Sequence, residues 1–564
     1  NSDFLRTMKG WKERHGEIIA TAVIFVLCLS LNFRSIDLKA PKRCEEEVPV
    51  LLADKSNFCS LIPPGRSASS LWMDNRQTII DATAMHHPKD PHHVHKRWIE
   101  ELFDTLSPTY MEGALSVFPQ TTDLNLITSV LDTVMQNANA SRPLEVLVLG
   151  GSVPQGRGCE VLPKEIQHLV NSSTAPDMKG QACSWVFRLQ LLANAFLGPN
   201  YIHVINNAVG GTSTKLSIPI LEFGLFADRK TDPDVIINSF ATNDALYSWS
   251  NNETLNNASS TYDHFHKTTE MAQEFIRASM AHRQRAVMFV DAYLGNQHNL
   301  LLAEDIRADA VRAVSQQTGA SVVRTTLMPF VYADTSETLV SPKWTYKRKP
   351  SRDAHYGMPG HQAVAWMVGY SALKSMVEYC AVEAKEDKKA KSVPKQKETR
   401  GTTSKNPCTF AFLANPAGTH RKASHLGAYL RSHTIQKKGW QAEDDIRNGW
   451  QNKLGLVSHE AGSEIIFAFN NITEPIRHLT VHSLQSYGEM WEGSEASFTV
   501  AVDGEERGNL TILGYHDDTI SISVPSFLDM GEKYQASIGQ NVTLRIKLVN
   551  GTNFKINSLL LCSR

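Results

Sequence analysis

Four short blocks along the chain carry residue types suited to acyl transfer. Gly150-Gly151-Ser152 ends an apolar run at 144–150, so a hydroxyl stands on a strand-to-loop turn beside glycines that let a substrate approach the backbone. A second run, 201–209, leads into Gly210-Gly211-Thr212-Ser213, where a glycine backbone N–H can point at a developing oxyanion. A third ends in Ala241-Thr242-Asn243-Asp244, whose Asn243 amide is a further donor. Late in the chain, Arg352-Asp353-Ala354-His355 precedes Tyr356-Gly357-Met358-Pro359-Gly360-His361 and offers His355 as a general base. Each block alone is a weak signal. Four in this order, each after an apolar run, describe one reaction: Ser152 as nucleophile, His355 as its base, and a glycine N–H and Asn243 around the oxyanion. Asp353, two residues before His355, is the candidate for orienting the imidazole; a backbone carbonyl in a Ser-His dyad is the alternative.

Such blocks need a scaffold that brings strand ends together. The Val- and Ile-rich runs at 144–150, 201–209, 234–241, 286–293 and 321–326 read as buried parallel strands. A helix with Trp185, Leu189, Leu192 and Phe196 on one face lies between the first two, and helical patterns cover 263–282, 303–318 and 360–379. Strands alternating with helices predict a parallel sheet covered on both sides, with chemistry beyond the carboxyl ends of the strands.

With these blocks in this order, the chain resembles the SGNH hydrolase superfamily, also called the GDSL lipase/esterase group. The resemblance covers about 240 of the 564 residues. It implies a flavodoxin-like three-layer α/β/α fold and a serine esterase mechanism acting on O-acyl esters, O-acetyl first among them. Gly150-Gly151-Ser152 stands where the family has Gly-Asp-Ser, Asn206 to Gly211 reproduces the spacing of the second block and so implies Gly211 N–H as an oxyanion donor beside Ser152 N–H, and Asn243 occupies the place of the third-block Asn. His355 is followed by Gly360 and His361 at the family's distance, but position three before it is Arg352, and the carboxylate is displaced to Asp353. The resemblance implies no cofactor and no metal. If a sugar hydroxyl resolves the acyl-enzyme, the same residues make a polysaccharide O-acetyltransferase; a non-catalytic glycan-binding protein is the third reading.

The rest of the chain sets the context. At roughly 150 residues per domain, 564 residues predict three to four units. With 57 Lys+Arg against 58 Asp+Glu, the chain lacks the basic excess of a nucleic-acid binder. Residues 1–17 read as a cytosolic tail and the uncharged run 18–33 as a transmembrane signal anchor, a cleavable signal peptide being the alternative. This orientation predicts a single-pass type II protein with its bulk in the Golgi or another endomembrane lumen, or, alternatively, secreted or at the cell surface. Asn-x-Ser/Thr acceptors at 139, 171, 252, 257, 471, 509, 541 and 550 all follow the apolar run. Cysteine positions suggest disulfides, with Cys44 near Cys59, Cys159 and Cys183 around one loop, Cys408 and Cys562 bracketing the C-terminal region, and Cys380 left over. Residues 34–110 read as a stem with a histidine-rich loop at 86–95, and 111–383 as the hydrolase-like domain. The charged, apolar-poor stretch 384–406 reads as a linker between independently folding units. Short strands without intervening helices predict an all-β sandwich at 407–564. In that sandwich Trp440, Trp450 and Trp491, with Tyr487, are candidates for a sugar-stacking platform, against the reading of core aromatics. The expected substrate is an acylated carbohydrate or another ester.

Overall fold

The structure is a computed structural model. It describes residues 65–83, 94–115, 142–157, 183–225, 232–244, 258–280, 285–291, 298–318, 320–324, 358–386, 408–413, 423–444, 454–517 and 521–563, with a few isolated positions such as Cys59 and Cys159. The proposed anchor at 18–33 and the linker core lie outside them. Among the described residues no helix is long and apolar enough to cross a membrane.

Five parallel strands, β1 (Leu144–Gly150), β2 (Ile202–Asn206), β3 (Val235–Ser239), β4 (Ala286–Asp291) and β5 (Ser321–Arg324), lie in the order β2-β1-β3-β4-β5. That is the flavodoxin-like doubly wound order. Side chains alternate between the faces of the sheet because a strand repeats every two residues. Val146 and Val148 of β1, Ile237 of β3 and Met288 of β4 enter one apolar cluster. Leu147, Leu149, Ile236 and Phe289 enter another on the opposite face. Helices Trp185–Leu197 and Met358–Glu386 cover the first face, and Ala258–Ser279 and His298–Thr318 the second.

The stem expected over 34–110 is corrected for residues 68–110. Helices Ala68–Asp74, Arg76–Thr83, Val94–Thr105 and Pro108–Leu115 belong to the α/β core, contributing Trp72, Ile79, Ile80, Ile99, Leu102 and Phe103 to its first cluster. Trp72 meets Tyr370 edge-on at 5.4 Å, and the Trp366 indole donates to Thr83 Oγ1 at 3.1 Å. Cys59 pairs with Cys380, the cysteine read as left over, rather than with its sequence neighbour Cys44. The other two pairs are Cys159–Cys183 and Cys408–Cys562.

The C-terminal region is an antiparallel β-sandwich. Its strands are β6 (Cys408–Leu413), β7 (Thr434–Lys438), β8 (Trp440–Asp444), β9 (Leu454–Ser458), β10 (Glu464–Phe469), β11 (His478–Gln485), β12 (Glu495–Val502), β13 (Glu505–Leu513), β14 (Ile522–Asp529), β15 (Val542–Asn550) and β16 (Phe554–Cys562). One sheet runs β13-β12-β15-β10-β7 and the other β14-β11-β16-β9-β8, with β6 paired to β16. Phe467, Phe498, Leu544, Val481 and Ile556 meet between them.

The two regions are not independent bodies. Cys408, Leu413, Leu560 and Cys562 of the sandwich complete the apolar cluster on the second face of the parallel sheet, beside Leu147, Leu216 and Phe240. Residues 51–564 therefore form a single compact unit. The acceptor asparagines at 471, 509, 541 and 550 are all exposed.

Candidate active site

The first block stands at the carboxyl end of the central strand. Gly151 caps a one-turn helix, Ser152–Gln155, and Ser152 opens that turn at 8% exposure. Gly151 leaves no space for a side chain: a Cβ there would stand 2.4 Å from Asn243 Nδ2. The absence of a side chain at 151 thus lets the first and third blocks touch. Asn206, at the end of β2, braces the turn from behind. Its amide donates to Pro154 O at 2.8 Å and to Ser184 Oγ at 3.3 Å.

The second block wraps the same turn. Val209 N–H donates to Gly150 O at 2.8 Å, and Gly210 N–H to Gln155 Oε1 at 2.8 Å. Gly210 is the glycine beside the nucleophile, since a Cβ on it would lie 3.4 Å from Ser152 Cβ. Gly211, the sequence-predicted oxyanion glycine, follows at φ +81°, a left-handed conformation open mainly to glycine. Thr212 Oγ1 donates to Val209 O at 2.6 Å, and Thr212 O accepts from the Asn243 amide. A primary amide has two N–H groups, so this bond fixes the orientation of Asn243 while engaging one of them.

A buried polar network holds the third block, and sequence reading missed it. Asp244 accepts from Thr214 N at 2.8 Å, from Thr214 Oγ1 at 2.7 Å and from Arg307 Nε at 3.2 Å. Arg307 also binds Asp291 at the end of β4 and reaches Asn238 Oδ1 at 3.4 Å. Asp291 is fully buried, and Arg307 is 1% exposed. Burial pushes the Asp244 carboxyl above the ordinary carboxylate range, opposed by the Arg307 charge and the Thr214 donors. The network ties three strand ends to helix His298–Thr318. In sequence, its one visible trace was Asp244 beside Asn243.

His355 and Asp353 lie outside the described residues. The described residues resume at Met358, and three residues later His361 is fully buried, its Nδ1 accepting from Trp185 N at 3.1 Å. His361 is thereby a packing residue joining two helices. Trp185 follows Ser184, whose hydroxyl meets Asn206 behind the Ser152 turn.

Of the proposed aromatic platform, Trp440 is corrected. At 1% exposure and edge-on to Phe554, it fills the sandwich core and cannot stack on a sugar. Trp450 lies outside the described residues. Trp491 is partly exposed and Tyr487 is 43% exposed, on the loop that follows β11. An apolar cavity of about 120 Å³ lies elsewhere, lined by Leu144, Ile202 and Val235 at the starts of the strands and by Leu192 and Met376. It is not part of the site.

No family model matches the chain, and no curated protein matches it. Solved structures do. An acetyl xylan esterase from Geobacillus stearothermophilus is 14% identical, over 42% of this chain and 95% of that one, with a TM-score of 0.28. A lipase from a goat rumen metagenome is 14% identical over 40% and 95%, also at 0.28. A carbohydrate-binding module, CBM36, in complex with calcium and xylotriose is 9% identical over 22% and 90%, at 0.15.

Proposed function

We propose that the chain is a serine esterase that removes O-acetyl groups from a carbohydrate. The observation that carries this reading is the meeting of three sequence-distant blocks on one turn. Ser152 stands at the end of β1, the Val209–Thr212 loop wraps it, and Asn243 packs on Gly151. In the proposed reaction His355 takes the proton of Ser152 Oγ as that oxygen bonds to the ester carbonyl carbon. The sugar alcohol leaves with the proton returned by His355, and water, deprotonated by His355, releases acetate and restores Ser152. Gly211 N–H, Ser152 N–H and the Asn243 amide receive the oxyanion. The sugar substrate is supported by Tyr487 and Trp491, which lie on the loop beginning at Ser486; the Ser486 hydroxyl bonds Ser521 Oγ, and Ser521 O abuts Gly211. Three disulfides and the exposed acceptor asparagines support a luminal or extracellular site of action.

The test is fluorophosphonate labelling of the purified chain together with turnover of a small acetyl ester. Ser152→Ala abolishes labelling, and Ser152→Ala and His355→Ala each remove most turnover, the double variant being no worse than either. Unchanged hydrolysis by Ser152→Ala overturns the reading. Retention of the acetyl group on an added sugar acceptor, rather than release as acetate, assigns the transferase instead.

A further inference from the structure

We infer that the β-sandwich is a working part of the esterase site, because the outer edge of β14 fixes the glycine loop that receives the oxyanion. The inference rests on the esterase reading above. β14 is the last strand of its sheet and pairs only with β11 along that path. A strand in that position has backbone groups turned away from its neighbour, which need a partner or water. Ser523 N–H is such a group, and it donates to Gly211 O at 2.7 Å. Two residues earlier, Ser521 O stands 2.9 Å from where a Cβ on Gly211 would lie, so the two backbones are in direct contact.

This grip is itself braced. Asn557 Nδ2 on β16 donates to Ser523 Oγ at 2.9 Å, and the hydroxyls of Ser486 and Ser521 meet at 2.7 Å. Just beyond the glycines, Lys215 lies 5.6 Å from the centre of the Phe527 ring on β14. Gly211 O, held by Ser523, belongs to the peptide that joins Gly211 to Thr212. The carbonyl of Thr212 is the one that orients the Asn243 amide. A single backbone bond from the sandwich therefore acts on two of the three proposed oxyanion donors. A shift of about 1 Å in such donors lowers a rate on the order of a hundredfold without a comparable loss of substrate binding. Ser523 is a positioning residue by this geometry, acting through Gly211.

The experiment compares full-length Ser523→Ala, which keeps the N–H, with Ser523→Pro, which removes it, on a small acetyl ester too short to reach the sandwich. The expected result is a kcat lowered by about 10- to 100-fold for Ser523→Pro, with KM nearly unchanged, and a smaller loss for Ser523→Ala, which forfeits only the Asn557 brace. Hydrogen exchange at residues 209–215 should quicken more in Ser523→Pro than in Ser523→Ala. Wild-type kcat and wild-type exchange in folded Ser523→Pro would overturn the inference. If that variant does not fold, the double variant Ser486→Ala/Asn557→Ala removes both side-chain braces; quickened exchange with a lowered kcat supports the inference, and no change in either overturns it. A wild-type chain inert to esters and to fluorophosphonate would sink the esterase reading instead, and the exchange comparison would still decide whether β14 holds the loop.

Discussion

Gly151 shows how one missing side chain determines a site. The SGNH family, which the chain resembles, has Asp in this place, but here a Cβ would collide with the Asn243 amide, itself pinned to Thr212 O. Restoring the family residue by Gly151→Asp is therefore expected to displace Asn243 and lower kcat on an acetyl ester by about 10²-fold, close to the effect of Asn243→Ala, because both would remove one of the proposed oxyanion donors. Steady-state kinetics of both variants on one substrate check this, and a wild-type rate for Gly151→Asp would show that Asn243 is not a donor. For the displaced carboxylate, Asp353→Asn should cost up to about 10⁴-fold if it completes a triad and little in a dyad. The placement of Ser152 and Asn243 just beyond strand ends was legible in the sequence because each follows a Val/Ile-rich run whose end is visible. The neighbour of Gly211 was not, since Ser521 is distant in sequence and nothing local to either residue marks the contact.

At the level of elements, Arg307 of helix His298–Thr318 bridges the ends of β3 and β4 through Asp244 and Asp291. Removing it leaves two buried carboxylates without their counter-charge. Arg307→Met should therefore destabilise the protein by about 3–5 kcal/mol, measured by urea unfolding. The parallel strands and their covering helices were readable because runs of buried residues and helical periods are local signals. The helices at 68–115 escaped because each spans 12 residues or fewer. Such segments take their stability from docking, here of Trp72, Ile79 and Phe103, rather than from propensity. Cys59–Cys380 escaped for a related reason: proximity in sequence favoured Cys44, and only the fold brings helix Met358–Glu386 to Cys59. Asp353 and His355, beyond the described residues, remain a reading from sequence.

For the whole molecule, the join between the two regions is sensitive to acid. His482 of β11 is fully buried near Lys215, its Nδ1 2.6 Å from Ser558 Oγ, and burial first, then the Lys215 charge, push its pKa down to about 3. The unfolded imidazole titrates near about 6.5. A depressed basic group binds its proton more readily in the unfolded chain, so its contribution is complete above pH 6.5 and falls away as the pH drops toward 3. The slope is about 1.4 kcal/mol per pH unit. Urea unfolding of wild type and His482→Gln at pH 7, 5.5 and 4.5 should show this extra loss in wild type alone.

The covalent pairing gives the molecule a mechanical character. Cys59–Cys380 closes a ring over 321 positions and Cys408–Cys562 another over 154, and the two rings follow one another without overlap. A pull applied beyond Cys59 and Cys562 travels through sulfur at both rings, bypasses β1, and falls on the seam between the rings, where Ser523 N–H holds Gly211 O. Tension across the oxidised molecule would therefore part the glycine loop from the β14 edge before it unravels either ring, and a reductant would turn the same pull into unravelling.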